Sequence, residues 1–183
     1  IPVFNSIATI QACVKSVLTQ SYQHLDILIG DNCSSDGTTS ILQKYSALDQ
    51  RITLFRHSQN IGAYANFKYL LDRATTPFFM WLGSDDALSP TYISDALTLF
   101  DSNHQAIGVT ASNAFYESAI PPLFPIIKLD QPTSSSRISA YLSRPGTNPY
   151  FYSLYKTSHL QSCFPLPPIF CFDWLLVCRL LNM

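Results

Sequence analysis

The sequence is poor in charged residues, and this limits the partners that it can bind through electrostatics. Of its 183 residues, 13% are Asp, Glu, Lys or Arg, and the formal net charge is −1. That share is about half of the usual one. Nucleic-acid binding relies on clustered Lys and Arg that neutralise phosphates. The composition therefore gives no electrostatic case for a nucleic-acid partner, and it predicts that part of the surface is covered by a partner, by further chain or by a membrane.

Long apolar runs and a signal peptide are also missing. No run reaches the ~18 apolar residues of a membrane span, because the most apolar stretch, residues 171–183, contains Asp173 and Arg179. No secretory signal is visible. We therefore predict a cytoplasmic protein, with peripheral contact at the inner face of the membrane as a further hypothesis. The chain has no initiator Met and begins on an apolar segment, so we expect a domain that is incomplete at both ends.

Closely spaced cysteines are absent as well. The five cysteines lie at positions 13, 33, 163, 171 and 178, and no pair has the two-residue gap of a zinc or redox motif. We predict reduced thiols, as is usual in a cytosolic protein.

Hydrophobic periodicity alternates between strand and helix over the first hundred residues. Apolar runs predict strands at 1–4, 25–29, 52–55, 78–82 and 107–111, and apolar residues at helical spacing predict helices at 7–18, 36–48, 61–74 and 90–100. Such alternation implies βαβ units in a parallel sheet with helices on both faces. Proline and serine clusters predict mostly loop at 117–149, over a site, followed by a terminal helix at 172–181.

Polar residues follow each of the first four predicted strands. They are Asn5-Ser6, Asp31-Asn32, residues 57–60 and Ser84-Asp85-Asp86. In open α/β sheets, ligands bind beyond the carboxyl ends of the strands. The sequence therefore predicts a binding site at this edge.

Residues 31–38 combine a strand-end carboxylate with a polar turn. Asp, Asn, Ser and Gly gather in ordinary turns and helix caps, and that explanation stays open. The functional alternative is that Asp31 accepts a hydrogen bond from the imide-like edge of a pyrimidine base.

The adjacent carboxylates of Asp85 and Asp86 follow an apolar strand. Two such neighbours repel each other unless a cation lies beside them, and Mg²⁺ and Mn²⁺ prefer carboxylate and phosphate oxygens. The alternative is that Asp86 or Ser89 only caps the next helix. The position after a core strand favours a metal site.

Taken together, these strings resemble the start of family 2 glycosyltransferases. The resemblance rests on residues 2–5, 16–22, 26–38, 51–52, 60–62, Asn66 and 84–86. It covers about the first hundred residues and implies the GT-A fold, an α/β, Rossmann-like domain with a mixed, mostly parallel sheet flanked by helices. By this resemblance, residues 1–116 form the nucleotide-sugar-binding half and 117–183 the acceptor-side region. Ten residues would contact the nucleotide, namely Pro2, Phe4, Asn5, Asp31, Asn32, Asn60, Gly62, Asn66, Ser84 and Asp85.

The resemblance also implies a metal site and a catalytic base. Asp86, with Asp85, would hold a divalent cation, Mn²⁺ or Mg²⁺. Residues 172–181 resemble the late Glu-Asp-(Trp/Tyr) helix of the family, whose Asp is the base, here Asp173. The alternative for Asp173 is an acid that favourably meets a helix N-terminus.

Three positions depart from the family pattern. Ser6 follows Asn5 where the family often has Glu soon after the asparagine. Gly83 replaces the first Asp of the metal motif, which makes metal affinity uncertain, and Phe172 replaces the Glu before the base, which removes an acceptor-side contact.

The implied activity is that of a metal-dependent, inverting hexosyl- or related transferase of EC class 2.4. Its donor would be a UDP-, dTDP- or GDP-linked sugar, and its acceptor a glycan or glycolipid hydroxyl in surface polysaccharide synthesis. One alternative is a non-catalytic nucleotide-sugar-binding module, which Gly83 and Phe172 favour. A nucleotidyltransferase is disfavoured, because residues 5–8 lack the glycines and basic residues of a triphosphate-binding loop.

Overall fold

The structure is a computed structural model that describes residues 1–110, 127–143 and 148–183. Its elements are β1 (Pro2–Val3), α1 (Ile10–Leu18), β2 (Ile27–Asp31), α2 (Thr38–Leu48), β3 (Ile52–Arg56), α3 (Ala63–Leu71), β4 (Phe78–Phe79), α4 (Tyr92–Ser102), β5 (Gly108–Val109), α5 (Ser134–Leu142), a 3-10 helix (Pro149–Tyr152), β6 (Leu154–Lys156), α6 (Thr157–Ser162) and α7 (Phe172–Leu181). The predicted alternation of strand and helix over the first hundred residues is confirmed. The predicted terminal helix 172–181 is also confirmed.

A parallel sheet in the order β1-β2-β3 forms the first half of the fold. Val3 pairs with Asp31, and Asp31 with Arg56, so the carboxyl ends of the three strands lie side by side. Helix α1 buries one face against this sheet through residues at the predicted helical spacing, Ile10, Cys13, Val14 and Val17. Ile7 does not belong to that face. It is 48% exposed and precedes the helix, because the chain between β1 and α1 is a polar loop.

A second sheet, in the order β4-β6-β5, is antiparallel. The prediction that 78–82 continues a parallel sheet is therefore wrong, since Phe78 and Phe79 pair with Lys156 and Tyr155. The partner strand β6 has three residues, too few for a period to appear in the sequence. The mixed sheet that the family resemblance implies agrees with this arrangement.

The interpretation of 117–149 as mostly loop is wrong for α5. Thr133 and Ser136 form a capping box, in which each side chain accepts a hydrogen bond from the other residue's backbone N–H, and this starts a helix within a serine-rich run. Tyr141 is the buried residue of α5, and it belongs to the same core cluster as α7. The rest of that prediction, the boundary between 116 and 117, and the end of the predicted strand 107–111 lie outside the described residues.

An aromatic cluster joins the segment after β4 and the 3-10 helix to α3 and α7. Phe67, Trp81, Phe151 and Phe172 contact one another, with ring centroids 4.9–5.8 Å apart in the pairs that meet. Burying large aromatic side chains contributes strongly to stability. The cluster packs α7 against Trp81, which lies between β4 and the turn that carries Asp85 and Asp86. Within the described residues, no helix is both long enough and apolar enough to cross a bilayer.

Candidate active site

The loops after β1 and β2 are joined by reciprocal hydrogen bonds. The Asn5 N–H donates to Ser34 Oγ at 3.0 Å, and the Ser35 N–H donates to Asn5 Oδ1 at 2.9 Å. Asn5 adopts a φ of 48°, a left-handed conformation that asparagine tolerates better than most residues. Phe4 beside it is 47% exposed, while Pro2 is buried in β1. The aromatic ring of Phe4 is therefore available to a ligand at this edge.

The carboxylate of Asp31 ends β2 and is fully buried. Its Oδ1 accepts from the Ser34 N–H at 3.0 Å, its Oδ2 accepts from Thr39 Oγ1 at 2.6 Å, and Arg56 Nε lies 3.8 Å away. These bonds hold the turn from β2 into α2. An ionised carboxylate can accept about four hydrogen bonds, so the turn leaves Asp31 with further acceptor capacity.

Asn32 ties the same turn to the loop between β3 and α3. Its Nδ2 donates to Asn60 Oδ1 at 2.9 Å, and its Oδ1 accepts from the Ile61 N–H at 2.8 Å. Gly62 adopts a φ of 83° directly before α3, in the region that favours glycine. Asn32 is buried, whereas Asn60 and Gly62 are exposed. Three loops thus meet around one polar edge, as the sequence predicted.

Asn66 lies beneath these loops rather than on their surface. It is 2% exposed; its Nδ2 donates to the Gly30 carbonyl at 2.8 Å, and its Oδ1 lies 3.0 Å from His57 Nε2. A Cβ at Gly30 would collide with the Asn66 amide. The structure therefore places Asn66 as a support for the strand ends.

The segment Gly83–Asp86 forms a tight turn beside the first loop. The Asp86 N–H donates to the Gly83 carbonyl at 3.1 Å, which also accepts from Cys13 Sγ at 3.3 Å, and the Ser84 and Ser6 hydroxyls lie 2.7 Å apart. A Cβ at Gly83 would lie 2.7 Å from Asp86 Oδ2 and 2.9 Å from Asp85 Oδ1. The two carboxylates therefore converge over the bare Cα of Gly83.

This pair of carboxylates has the chemistry of a hard-cation site. Both residues are exposed at the surface, but partial burial of the Asp86 carboxyl and then the charge of Asp85 raise the pKa of Asp86. A counter-charge beside the pair would therefore favour its ionised form. No set of three or more His, Cys, Asp or Glu side chains converges in the described residues. Mg²⁺ is commonly held by one or two carboxylates together with substrate phosphates, and Asp85 and Asp86 fit that pattern.

Asp173 lies in the first turn of α7. Asn148 Nδ2 donates to Asp173 Oδ2 at 3.0 Å. Burial and then the charges of Asp86, Asp85 and Asp173 raise the pKa of the half-buried Tyr152 to about 12. Neither Asn148 nor Tyr152 was predicted from the sequence, since no motif marks them. The only local signal is the Asn-Pro pair that opens the 3-10 helix.

Two further residues of the late motif are structural. Phe172 is 9% exposed and packs edge to face on Tyr64, Phe67 and Phe151, which explains why an apolar residue stands where the family has Glu. Arg179 Nη1 donates to the carbonyls of Cys163 and Pro165 at 2.7 and 2.8 Å. It therefore fastens the segment before α7.

Comparison with known proteins places these features in a family context. The model of the family described as glycosyl transferase family 2 matches residues 1–162. TuaG of Bacillus subtilis, named for teichuronic acid biosynthesis, is 40% identical over 85 residues, 46% of this chain and 34% of that protein. A Campylobacter jejuni protein named GalNAc(5)-diNAcBac-PP-undecaprenol beta-1,3-glucosyltransferase is 33% identical over 89 residues, 48% of this chain and 29% of that protein.

Solved structures share the fold. TarS 1-349 of S. aureus superposes with a TM-score of 0.78 at 20% identity, covering 99% of this chain and 54% of that one; it has also been solved with UDP. The mannosyltransferase PcManGT of Pyrobaculum calidifontis, in complex with GDP-Man and Mn²⁺, gives 0.72 at 14% identity, covering 98% and 50%. The chain spans about a third of the two curated relatives and about half of these structures.

Proposed function

Because this chain belongs to glycosyl transferase family 2, we propose that it carries the nucleotide-sugar site of an inverting glycosyltransferase. The observation that supports this most is that Asp85 and Asp86 converge over Gly83, in a turn that Ser84 and Ser6 join to the loop after β1. This pair is suited to a cation, and Asp173 in the first turn of α7 supplies a third carboxylate, suited to proton transfer. The reaction would move a sugar from a nucleoside diphosphate to an acceptor hydroxyl in surface polysaccharide or glycolipid synthesis.

The nucleoside would bind at the edge formed by the first three loops. Phe4 offers an exposed ring for stacking, and Asn5, Asn60 and Gly62 border it with polar groups. Asp31 and Asn32 support the turn against which the base would rest. A UDP-, dTDP- or GDP-linked donor fits this polar, weakly charged edge.

Asp86 and Asp85 would hold a divalent cation, Mn²⁺ or Mg²⁺. When bound, such a cation supplies Lewis-acid stabilisation of charge on the leaving diphosphate. The protein's own contribution is to hold both carboxylates converging over Gly83. Ser84 fixes their turn against the first loop through Ser6.

Asp173 would act as the general base. An acceptor hydroxyl attacks the anomeric carbon as its proton passes to the Asp173 carboxylate, and the bond between that carbon and the diphosphate oxygen breaks. General-base assistance contributes roughly 10²–10⁴-fold to such a rate. A single displacement inverts the configuration at the anomeric carbon.

Donor binding is tested by thermal shift with UDP, GDP, dTDP and CMP, each with and without Mn²⁺. Saturation at about 100 times the dissociation constant adds ~2.7 kcal/mol of stability. We expect one nucleoside diphosphate to raise the melting temperature in a Mn²⁺-dependent way. Asp86→Asn should abolish this shift, whereas the control Asp101→Asn, on an exposed residue of α4, should keep it. No shift with any nucleotide would overturn the proposed donor site.

Transfer is tested separately on the full chain. UDP release from UDP-glucose and UDP-GlcNAc is followed with GlcNAc-diphosphoundecaprenol as the acceptor probe, and the anomeric configuration of the product is read by NMR. We expect inversion, and loss of transfer in Asp173→Asn with nucleotide binding intact. Full nucleotide binding without any turnover would instead favour the non-catalytic binding module.

We further propose that the acceptor side meets a membrane surface. Ile169 and Phe170 are 48% and 100% exposed on the segment that leads into Asp173. Tyr64 and Arg179 anchor this segment through the carbonyls of Leu166, Cys163 and Pro165. Exposed apolar side chains on an anchored tip are suited to the interface of a bilayer that carries a lipid-linked acceptor.

Vesicles of phosphatidylethanolamine and phosphatidylglycerol provide the test. We expect the chain to float with them and Phe170→Ser to reduce this binding. Leu48→Ser removes an apolar side chain that is 84% exposed at the end of α2, and it should bind vesicles normally. Equal binding by both variants would show that the Ile169–Phe170 tip is not the contact.

A further inference from the structure

Asn148 forms a specific contact with the acid of α7. Its Nδ2 donates to Asp173 Oδ2 at 3.0 Å across 25 residues of chain. Asn148 also occupies the N-cap position of the 3-10 helix Pro149–Tyr152, but its side chain makes no capping hydrogen bond there. The usual reason for an asparagine before a helix therefore does not explain this side chain.

The other end of the same amide is enclosed. Asn148 Oδ1 and the Tyr141 hydroxyl are both buried, and neither has a hydrogen-bond partner among the described residues. Burial raises the pKa of Tyr141, and the Asn148 side chain lowers it to a smaller extent. The two groups do not reach hydrogen-bond geometry in this structure. Tyr141 is 2% exposed and packs on Tyr150 and Trp174, so the amide is confined between a fixed ring and the Asp173 carboxylate.

We propose that Asn148 is a positioning residue that orients the Asp173 carboxylate to receive the proton of the acceptor hydroxyl. This rests on the proposed role of Asp173 as the general base. Without the amide, a carboxylate in the first turn of a helix is drawn toward the free backbone N–H groups of that turn. The Asn148 donor opposes this rotation and keeps one carboxylate oxygen facing away from the helix.

The charged and titratable groups around this contact come from three elements. Tyr141 of α5 and Tyr152 of the 3-10 helix lie within electrostatic reach of Asp173, and Cys178 of α7 lies near Tyr141. Burial raises the pKa of both tyrosines, so their hydroxyls stay neutral at neutral pH. The charges of Asp85 and Asp86 also act on Tyr152, so the Asn148 amide acts on Asp173 among neutral hydroxyls with these two carboxylates as the further charged groups.

Two variants separate positioning from folding. Asn148→Leu removes the donor but keeps the branching of the side chain, and Asn148→Asp keeps the shape but sets a second carboxylate against Asp173. Small displacements of a catalytic group can cost about 10²-fold in rate. We expect Asn148→Leu to lower kcat for UDP release by about 10- to 100-fold, with the KM for the nucleotide sugar within about twofold of wild type. Asn182→Leu, on an exposed asparagine at the end of α7, is the matched control and should behave as wild type.

The pH profile gives a readout that a purely structural role would not move. In Asn148→Asp the two carboxylates would share a proton, so the acid side of the activity profile should shift to higher pH. As a folding control, each variant should still bind UDP in a Mn²⁺-dependent way, which would show that the donor side of the site is intact. If Asn148→Leu keeps a wild-type kcat, or if only its KM changes, the positioning role of Asn148 is refuted. The proposed role of Asp173 as the base would still stand. Full transfer by Asp173→Asn would instead refute the proposed base, and the positioning role with it.

Discussion

Trp81 and Phe151 stack face to face, with ring centroids 4.9 Å apart and planes within 5°. Trp81 precedes the turn that carries Asp85 and Asp86, and Phe151 follows Asn148 in the segment that leads to Tyr152. The Trp81 indole also donates to the Phe67 carbonyl at 3.1 Å. The stack therefore joins the segment between β4 and the proposed cation site to the segment that contacts Asp173.

Truncation of this stack should destabilise the whole fold. Phe151 is 2% exposed, and replacement of a buried Phe by Ala typically costs 3–5 kcal/mol. We predict a loss of about this size for Phe151→Ala in urea unfolding. Leu142→Ala removes a half-exposed side chain of α5 and should change stability by about 0.5 kcal/mol or less. Similar losses in the two variants would contradict the central role of the stack.

The family motif has Asp at the position of Gly83, yet we predict that a side chain at this position harms the proposed cation site. The Cβ position of Gly83 is already occupied by the ends of the Asp85 and Asp86 side chains. We predict that Gly83→Ala pushes the carboxylates apart and weakens Mn²⁺-dependent nucleotide binding by about tenfold or more, while stability changes by about 1 kcal/mol or less. Titration calorimetry with UDP and Mn²⁺ measures the effect.

Gly83→Asp restores the sequence motif and is the sharper variant. Because its Cβ would take the space of both existing carboxylates, we expect no gain in Mn²⁺ affinity. A clear gain would mean that the two side chains rearrange freely, and that their convergence over Gly83 does not matter for the cation.

Sequence patterns predicted the parts of the fold that depend on residues close together in the chain. The spacing of Ile10, Cys13, Val14 and Val17 predicts the buried face of α1, and the polar residues after β1, β2 and β3 predict the edge where their loops meet. These features depend on neighbours within a few residues. They also follow from the general rule that parallel strands gather their carboxyl ends.

Pairings between distant segments could not be predicted in this way. β6 is recognisable only from its partners β4 and β5, which lie about 45 or more residues away in the chain. Asn148 gains a role only because the fold brings it to Asp173. Asn66, which a motif placed at the nucleotide, is turned inward by its bonds to Gly30 and His57. A motif fixes where a residue lies in the chain, whereas the packing of α3 on β2 decides which way its side chain points.

The Asp49–Arg51 pair gives a prediction on acid stability. Arg51 donates from Nε and Nη2 to the two Asp49 oxygens at 3.0 and 2.8 Å. These bonds lower the pKa of Asp49 from 3.8 to about 2. Because the folded-state pKa is depressed, the stabilisation is complete above 3.8 and is lost as the pH falls through about 2. Asp49→Asn should therefore be less stable than wild type at about pH 5, and the difference should shrink toward about pH 2.

Urea midpoints across that pH range measure the difference. Asp26→Asn, on an exposed residue just before β2, is the control and should show no such narrowing. A difference between wild type and Asp49→Asn that stays constant down to about pH 2 would mean that Asp49 does not act through its charge.

The cysteines offer chemical probes of the two halves of the site. All five are free, with Cys171 exposed and Cys13 and Cys163 buried. Burial raises the pKa of Cys13 to about 12 and of Cys163 to about 11. At pH 8 roughly one in 10⁴ and one in 10³ of these thiols would be ionised, and the thiolate is the reactive form. We predict that a bulky maleimide labels Cys171 in the native protein and reaches Cys13 and Cys163 only after unfolding.

The consequence for function depends on which thiol reacts. Cys171 lies two residues before Asp173, so a maleimide adduct on Cys171 should block sugar transfer. The same adduct should leave Mn²⁺-dependent UDP binding intact. Cys171→Ser should protect the transfer activity against the maleimide. Cys33 is half-buried in the turn after Asp31, and UDP with Mn²⁺ should slow its labelling. Peptide mapping by mass spectrometry separates the two. Protection of Cys171 by UDP, with none at Cys33, would reverse the assignment of donor and acceptor sides, because each thiol reports on the ligand that covers its own loop.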